Sequence, residues 1–157
     1  MIVVKAIDKI IYYFLVLLMA IMSILGVFQV VGRLVGVVPS WTEEAIRFLF
    51  IWASCVGAAI GIKAHIHIGV DVIVNLLPFV ARKVVDIVVQ LGLMAFDVFI
   101  IKFGFDMVAR TMTQASPALR LPMAYVYLAV PVMGILGLYY SIFEIVRIIR
   151  TKKEVKA

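Results

Sequence analysis

The sequence predicts an all-α integral membrane protein with four transmembrane helices, and three observations lead there. Hydrophobic residues make up 66% of the chain and charged residues 15%, with a mean hydropathy of +1.19. An ordinary soluble domain holds about 45–50% apolar and 25% charged residues. The apolar residues are gathered into long runs, each close to the roughly 20 residues that a helix needs to cross about 30 Å of hydrocarbon. The 157 residues accommodate four such spans with short connections as one membrane domain, leaving no room for a separate soluble one.

The first span is placed at residues 10–31, a stretch without charge in which Ser23 and Gln29 are the clearly polar groups. Lys5 and Lys9 ahead of it resemble the start of a signal peptide. The apolar run exceeds the usual 7–15 residues of such a segment, so it is expected to remain as a membrane helix. Gly32, Gly36 and Pro39 end it. Ser40-Trp41-Thr42-Glu43 then reads as a capping box, in which the Ser40 hydroxyl and the Glu43 carboxylate satisfy free N–H groups at a helix start. The second span follows at 45–62.

Beyond Lys63, Val70, Ile73, Val74 and Leu77 recur at helical spacing, while Asp71 and Asn75 fall on another face. This predicts a short interfacial helix between the second and third spans, apolar side inward. Pro78 punctuates it, and Arg82 and Lys83 mark the entry to a third span at 84–108. The fourth span, 124–149, contains Pro131, a candidate kink, and Gly134, Gly137 and Ser141, a narrow face for close helix packing. Residues 150–157 form a basic tail.

Orientation follows from the cations. Lys5, Lys9, Lys63, Arg82, Lys83, Arg147, Arg150, Lys152, Lys153 and Lys156 share one side, against Arg33, Arg47, Lys102, Arg110 and Arg120 on the other. The positive-inside rule therefore puts both termini in the cytoplasm. The formal charge of +6 sits at span ends and in the tail, forming no stripe on a soluble face of the kind nucleic acid requires. The single cysteine, Cys55, lies in an apolar run, which excludes an internal disulfide and reads as a small buried hydrophobe.

Few residues offer chemistry. Glu43 and Glu44 stand four and three positions before Arg47, so both carboxylates can reach one guanidinium on the same side of a helix. With Trp41 they form a candidate contact motif at the outer face, for another subunit or a docking protein. The alternative is a helix start that favours acids near its positive dipole end. Trp41 suits an interface anchor and Trp52 internal packing. His65 and His67 lie too close along the chain to face one another as axial haem ligands, and with Asp71 they lack a fourth metal ligand. His67 and Asp71 instead suit a structural clamp at the inner face. Asp86, Gln90 and Asp97 fall within about 40° around a helix, with Lys102 and Asp106 opposite. That intramembrane polar stripe should face protein, because an ionised Asp at mid-bilayer costs roughly 2.5–3.5 kcal/mol. No catalytic, cofactor-binding or metal residues are assigned.

Taken together, Ser40-Trp41-Thr42-Glu43-Glu44, Arg47, Trp52, Gly57 with Ala58 and Ala59, and then His67 and Asp71 resemble the small membrane subunit, of DctQ type, of tripartite ATP-independent periplasmic (TRAP) transporters. The resemblance covers nearly the whole chain. It implies a non-enzymatic subunit of a bacterial or archaeal cytoplasmic (inner) membrane, scaffolding a large TRAP membrane subunit and helping dock a periplasmic substrate-binding protein. It further implies sodium-coupled uptake of an organic anion, commonly a carboxylate. From the residues themselves, the absence of an internal repeat and the scarcity of midplane polar groups suit a partner better than a complete transporter. Two other classes fit the residues less well. A self-sufficient small multidrug-type exporter depends on an embedded carboxylate in its first helix, and residues 10–31 contain none. A membrane anchor of a redox enzyme needs haem ligands that the two histidines do not provide.

Overall fold

The computed structural model describes residues 2–37, 39–63 and 79–150. The chain forms α1 (Ile2–Leu34), α2 (Ser40–Lys63), α3 (Phe79–Thr111), the single turn α4 (Ala124–Tyr127) and α5 (Ala129–Arg150). Four stretches are long and apolar enough to cross a membrane: Ile7–Leu34, Ser40–Gly61, Lys83–Thr111 and Ala124–Ile148, the last made of α4 and α5 together. The expected interfacial helix, with His67 and Asp71, and residues 151–157 of the basic tail lie outside the described residues.

The helices pack in a row. α5 contacts α3 on one side and α2 on the other, and α1 packs against α2. The consequence is unequal burial: 39% of the residues in the most apolar stretch of α4–α5 are buried, but 6% in that of α1. α1 and α3 therefore present long apolar faces outward, including Tyr12, Leu17, Ile24 and Val31 on one and Val88, Phe96, Phe99 and Phe103 on the other.

Two seams hold this row by different means. Between α3 and α5 the backbones approach closely, because glycines stand at the crossing points. A Cβ built on Gly104 would lie 2.8 Å from Cδ of Pro131, and one on Gly134 would lie 3.0 Å from the Asp97 carbonyl oxygen. At Gly137 it would fall 2.6 Å and 2.7 Å from the two Asp97 carboxylate oxygens, so these sites admit little beyond a hydrogen. Between α1 and α2 the contact is made by side chains. Ile11, Val56 and Tyr140 form a buried cluster, with Ile7, Leu15 and Ile60 packed on it. Phe14 meets the Trp52 ring edge-on at 6.3 Å between centroids.

The helix ends follow from local chemistry. α1 stops in a Schellman motif: Gly36 adopts φ +80°, Val37 N–H reaches the Gly32 carbonyl at 2.9 Å and Gly36 N–H reaches that of Arg33 at 3.3 Å. α2 does not start with the expected capping box. Ser40 is already helical, the Thr42 hydroxyl donates to the Pro39 carbonyl at 2.7 Å, and Glu43 turns toward α1. Pro131 interrupts the fourth span, as expected from its missing N–H. The break falls at Leu128, which keeps right-handed helical angles of φ −56° and ψ −24°, so it interrupts the hydrogen bonding more than the path of the chain.

Candidate functional site

The polar chemistry gathers at the end of the molecule where α1 finishes, α2 begins and the loop of residues 112–123 joins α3 to α4. The adjacent glutamates of α2 serve different partners. Glu43 accepts a hydrogen bond from Gln29 Nε2 at 3.0 Å and faces Arg33 at 3.8 Å, tying α2 to the last turns of α1. Glu44, one residue and about 100° onward, points the other way and is 9% exposed. Its Oε2 accepts the backbone N–H groups of Ala118 at 2.9 Å and Leu119 at 2.7 Å.

The loop is shaped to offer those donors. Ser116 N–H bonds the Leu121 carbonyl at 2.8 Å, Arg120 N–H bonds that of Ser116 at 3.1 Å, and Met123 N–H bonds that of Gln114 at 2.8 Å. The Ser116 hydroxyl accepts from Leu121 N–H at 3.2 Å, and Arg120 takes the left-handed φ of 52°. Successive N–H groups beside a left-handed residue make a small anion-binding concavity, here occupied by the chain's own Glu44. About two turns beyond Glu44 along α2, Trp52 donates from Nε1 to the Tyr125 carbonyl at 3.2 Å. α2 is thus fastened at two levels to the segment that leads into the fourth span.

Of the four residues expected at the outer face, Trp41, Glu43 and Arg47 are exposed and Glu44 is buried. Arg47 does not bridge the two acids. Among the described residues it makes no direct ion pair or hydrogen bond, because Glu43 is engaged by α1 and Glu44 by the loop. On α3, Gln90 is 5% and Asp97 1% exposed, with Asp86 half-buried, while Lys102 and Asp106 are exposed. Among the described residues, Gln90 Oε1, Asp97 Oδ2 and Ser141 Oγ are buried without a hydrogen-bond partner. Among the described residues no cluster of three or more His, Cys, Asp or Glu is arranged to hold a metal. His67 and Asp71 fall outside those residues.

Sequence reasoning missed three fastenings. Asp8 accepts the Tyr140 hydroxyl proton at 3.0 Å, tying the start of α1 to α5. Glu144 is largely buried and pairs with Arg147 at 3.4 Å. The 112–123 loop supplies the donors for Glu44. For Asp8 a sign was present, an acid between Lys5 and Lys9 at the mouth of an apolar run. For the loop there was none beyond the Ser116-Pro117 turn pair.

Residues 22–151 match the family model of the tripartite ATP-independent periplasmic transporters, DctQ component. The chain belongs to that family. It is accordingly a small permease subunit of a TRAP transporter and not an enzyme. Individual relatives agree. The C4-dicarboxylate TRAP transporter small permease protein DctQ of Rhodobacter capsulatus is 37% identical over 61% of this chain and 43% of its own length. The isethionate TRAP transporter permease protein DctMQ of Oleidesulfovibrio alaskensis is 33% identical over 67% of this chain and 18% of that protein. A protein of Haemophilus influenzae, provisionally named a TRAP transporter small permease protein, is 31% identical over 85% of this chain and 82% of its own. The match thus spans less than half the length of the first two relatives and most of the third.

Proposed function

We propose that this TRAP small permease subunit scaffolds a large permease subunit, helps seat a periplasmic substrate-binding protein, and so takes part in sodium-coupled uptake of an organic anion across a bacterial or archaeal inner membrane. The observation that carries the scaffold role is the use of the polar groups. Glu43, Glu44, Trp52 and Asp8 each fasten one element of this chain to another. Among the described residues, the buried polar groups left within the spans, Gln90, Asp97 and Ser141, sit on the closely packed α3 and α5. The apolar outer faces of α1 and α3 are then surfaces for lipid and for the larger partner.

A carboxylate is the first solute class to test. Two of the relatives named above are permease proteins of isethionate and C4-dicarboxylate TRAP transporters, and both solutes are organic anions. With both termini cytoplasmic, as the distribution of cations favours, the loop of residues 112–123 faces the periplasm. Its exposed Arg120, together with Trp41 at the start of α2, is the surface offered to the binding protein. His67 and Asp71 would clamp the opposite, cytoplasmic end.

Co-expression with a candidate large permease tests the scaffold reading. The two chains are expected to purify as one complex through size exclusion, and the complex to survive Arg120→Glu while its affinity for the binding protein falls. Separate elution of the two chains, together with uptake by the large permease alone, would remove the scaffold role.

A further inference from the structure

The side-chain seam between α1 and α2 does not close along its whole length. Toward the Ser40 end it opens into a cleft of about 370 Å³ lined by Met22, Gln29, Glu43, Ile46, Arg47 and Phe50. Gly26 stands four residues after Met22 and three before Gln29, on the same face of α1, and a Cβ there would meet nothing within 4 Å.

The lining changes character along the membrane normal. Trp41 is exposed at the start of α2, the position of an aromatic belt at headgroup depth. Arg47 lies about 9 Å deeper along the helix and Phe50 about 4.5 Å deeper still, at 1.5 Å per residue. The long arginine side chain lines the same cleft as Glu43, one turn nearer the helix start, which is the snorkelling that carries a guanidinium toward the interface. Polar Gln29 and Glu43 thus stand at the shallow end, and Phe50, Ile46 and Met22 make the apolar floor.

The one acid of the cleft is engaged by residues of α1, so the one cation of the cleft is not paired there. Glu43 is held by Gln29 and Arg33, and Glu44 faces away into the 112–123 loop. Arg47, with its five N–H donors, makes no direct ion pair or hydrogen bond among the described residues, and Glu44 acts on it only through space. A guanidinium inside a membrane span is costly without an anion.

We propose that this cleft is a phospholipid site: the phosphodiester of a lipid in the adjoining leaflet seats on Arg47, and the first part of its acyl region lies over Ile46, Phe50 and Met22. Arginine presents paired N–H groups that match two oxygens of a phosphate. A carboxylate from a protein partner would answer the charge and leave the floor uncovered. A lipid carries an anionic group followed by hydrocarbon, in the order that the cleft presents them. The lipid would fill the seam that glycines do not close and so hold α1 against α2.

The test is native mass spectrometry of the full-length chain, alone and co-purified with its large permease, after delipidation in mild detergent and titration with phosphatidylglycerol and, separately, phosphatidylethanolamine. Wild type is expected to retain one phospholipid per chain. Arg47→Gln should weaken that retention about tenfold or more, the loss expected for charge-assisted hydrogen bonds to phosphate, and Arg47→Lys should fall between. Gly26→Leu, which leaves Arg47 in place and fills the cleft, should also lower retention, while Arg120→Gln in the distant loop should not. Equal retention by wild type, Arg47→Gln and Gly26→Leu would overturn the proposal. So would an Arg47→Gln chain that sheds the large permease while keeping its lipid, since a partner side chain would then be the anion on Arg47.

Discussion

The α3–α5 and α1–α2 seams join neighbouring helices of one row in opposite ways. Along α3–α5, Gly104, Gly134 and Gly137 let one backbone rest against Pro131, Ile101 and Asp97. Along α1–α2, contact is made by side chains such as Ile11 with Val56 and Phe14 with Trp52, and polar bridges from Gln29 and Arg33 to Glu43 close one end. Lipid tails are as apolar as leucine, so burying apolar side chains gives helices little reason to associate in a bilayer. Close backbone approach and interhelical hydrogen bonds remain. The first seam uses the former and is filled, whereas the second uses the latter and stays partly open.

This contrast can be broken most severely at Gly137. Gly137→Leu would drive a side chain into the Asp97 carboxylate, and overpacking of that kind costs about 1–3 kcal/mol or more. The expected result is a clear drop in the unfolding midpoint in detergent. Gly57→Ala is the control, since nothing lies within 4 Å of a Cβ there, and the midpoint should hold or rise. The next largest effect is expected from Glu44→Ala, which orphans the N–H groups of Ala118 and Leu119. Hydrogen exchange at those two amides should quicken on the order of tenfold, while amides of the α3–α5 seam keep their protection.

Smaller changes probe the second seam and its neighbour. Tyr140→Phe removes the hydroxyl that binds Asp8 and should cost about 0.5–1.5 kcal/mol in chemical unfolding, the usual net contribution of one hydrogen bond. Arg33→Ala removes an ion pair at 3.8 Å whose side chains are 71% and 55% exposed. Exposed pairs contribute about 0–1 kcal/mol, so its unfolding midpoint should stay near that of wild type. If Arg33→Ala proved as damaging as Gly137→Leu, the two seams would not differ as described.

The parts legible in the sequence are those that one segment determines alone. Four spans follow from the length and composition of the apolar runs. The inward turn of Gln90 and Asp97 follows from a 100° step per residue. The break ahead of Pro131 follows from a missing N–H. What depends on a second segment was not legible. The spacing of Glu43, Glu44 and Arg47 allows i,i+3 and i,i+4 pairs, but Glu44 finds its donors 74 and 75 residues away and Glu43 finds Gln29 14 residues before it. A local pair lost to tertiary partners, and among the described residues Arg47 makes no direct ion pair. The same reason hid Asp8, whose partner lies 132 residues on. The acidic pair at the start of α2 is thus, in three dimensions, two internal fastenings.

The central claim is that this chain acts as the small subunit of a transporter and not by itself. Uptake of a radiolabelled dicarboxylate into proteoliposomes is the direct measurement, with this chain, its large permease and the binding protein each omitted in turn under a sodium gradient. Accumulation is expected when all three are present and should be lost on omission of any one. Undiminished accumulation without this chain, or accumulation by this chain alone, would contradict the claim.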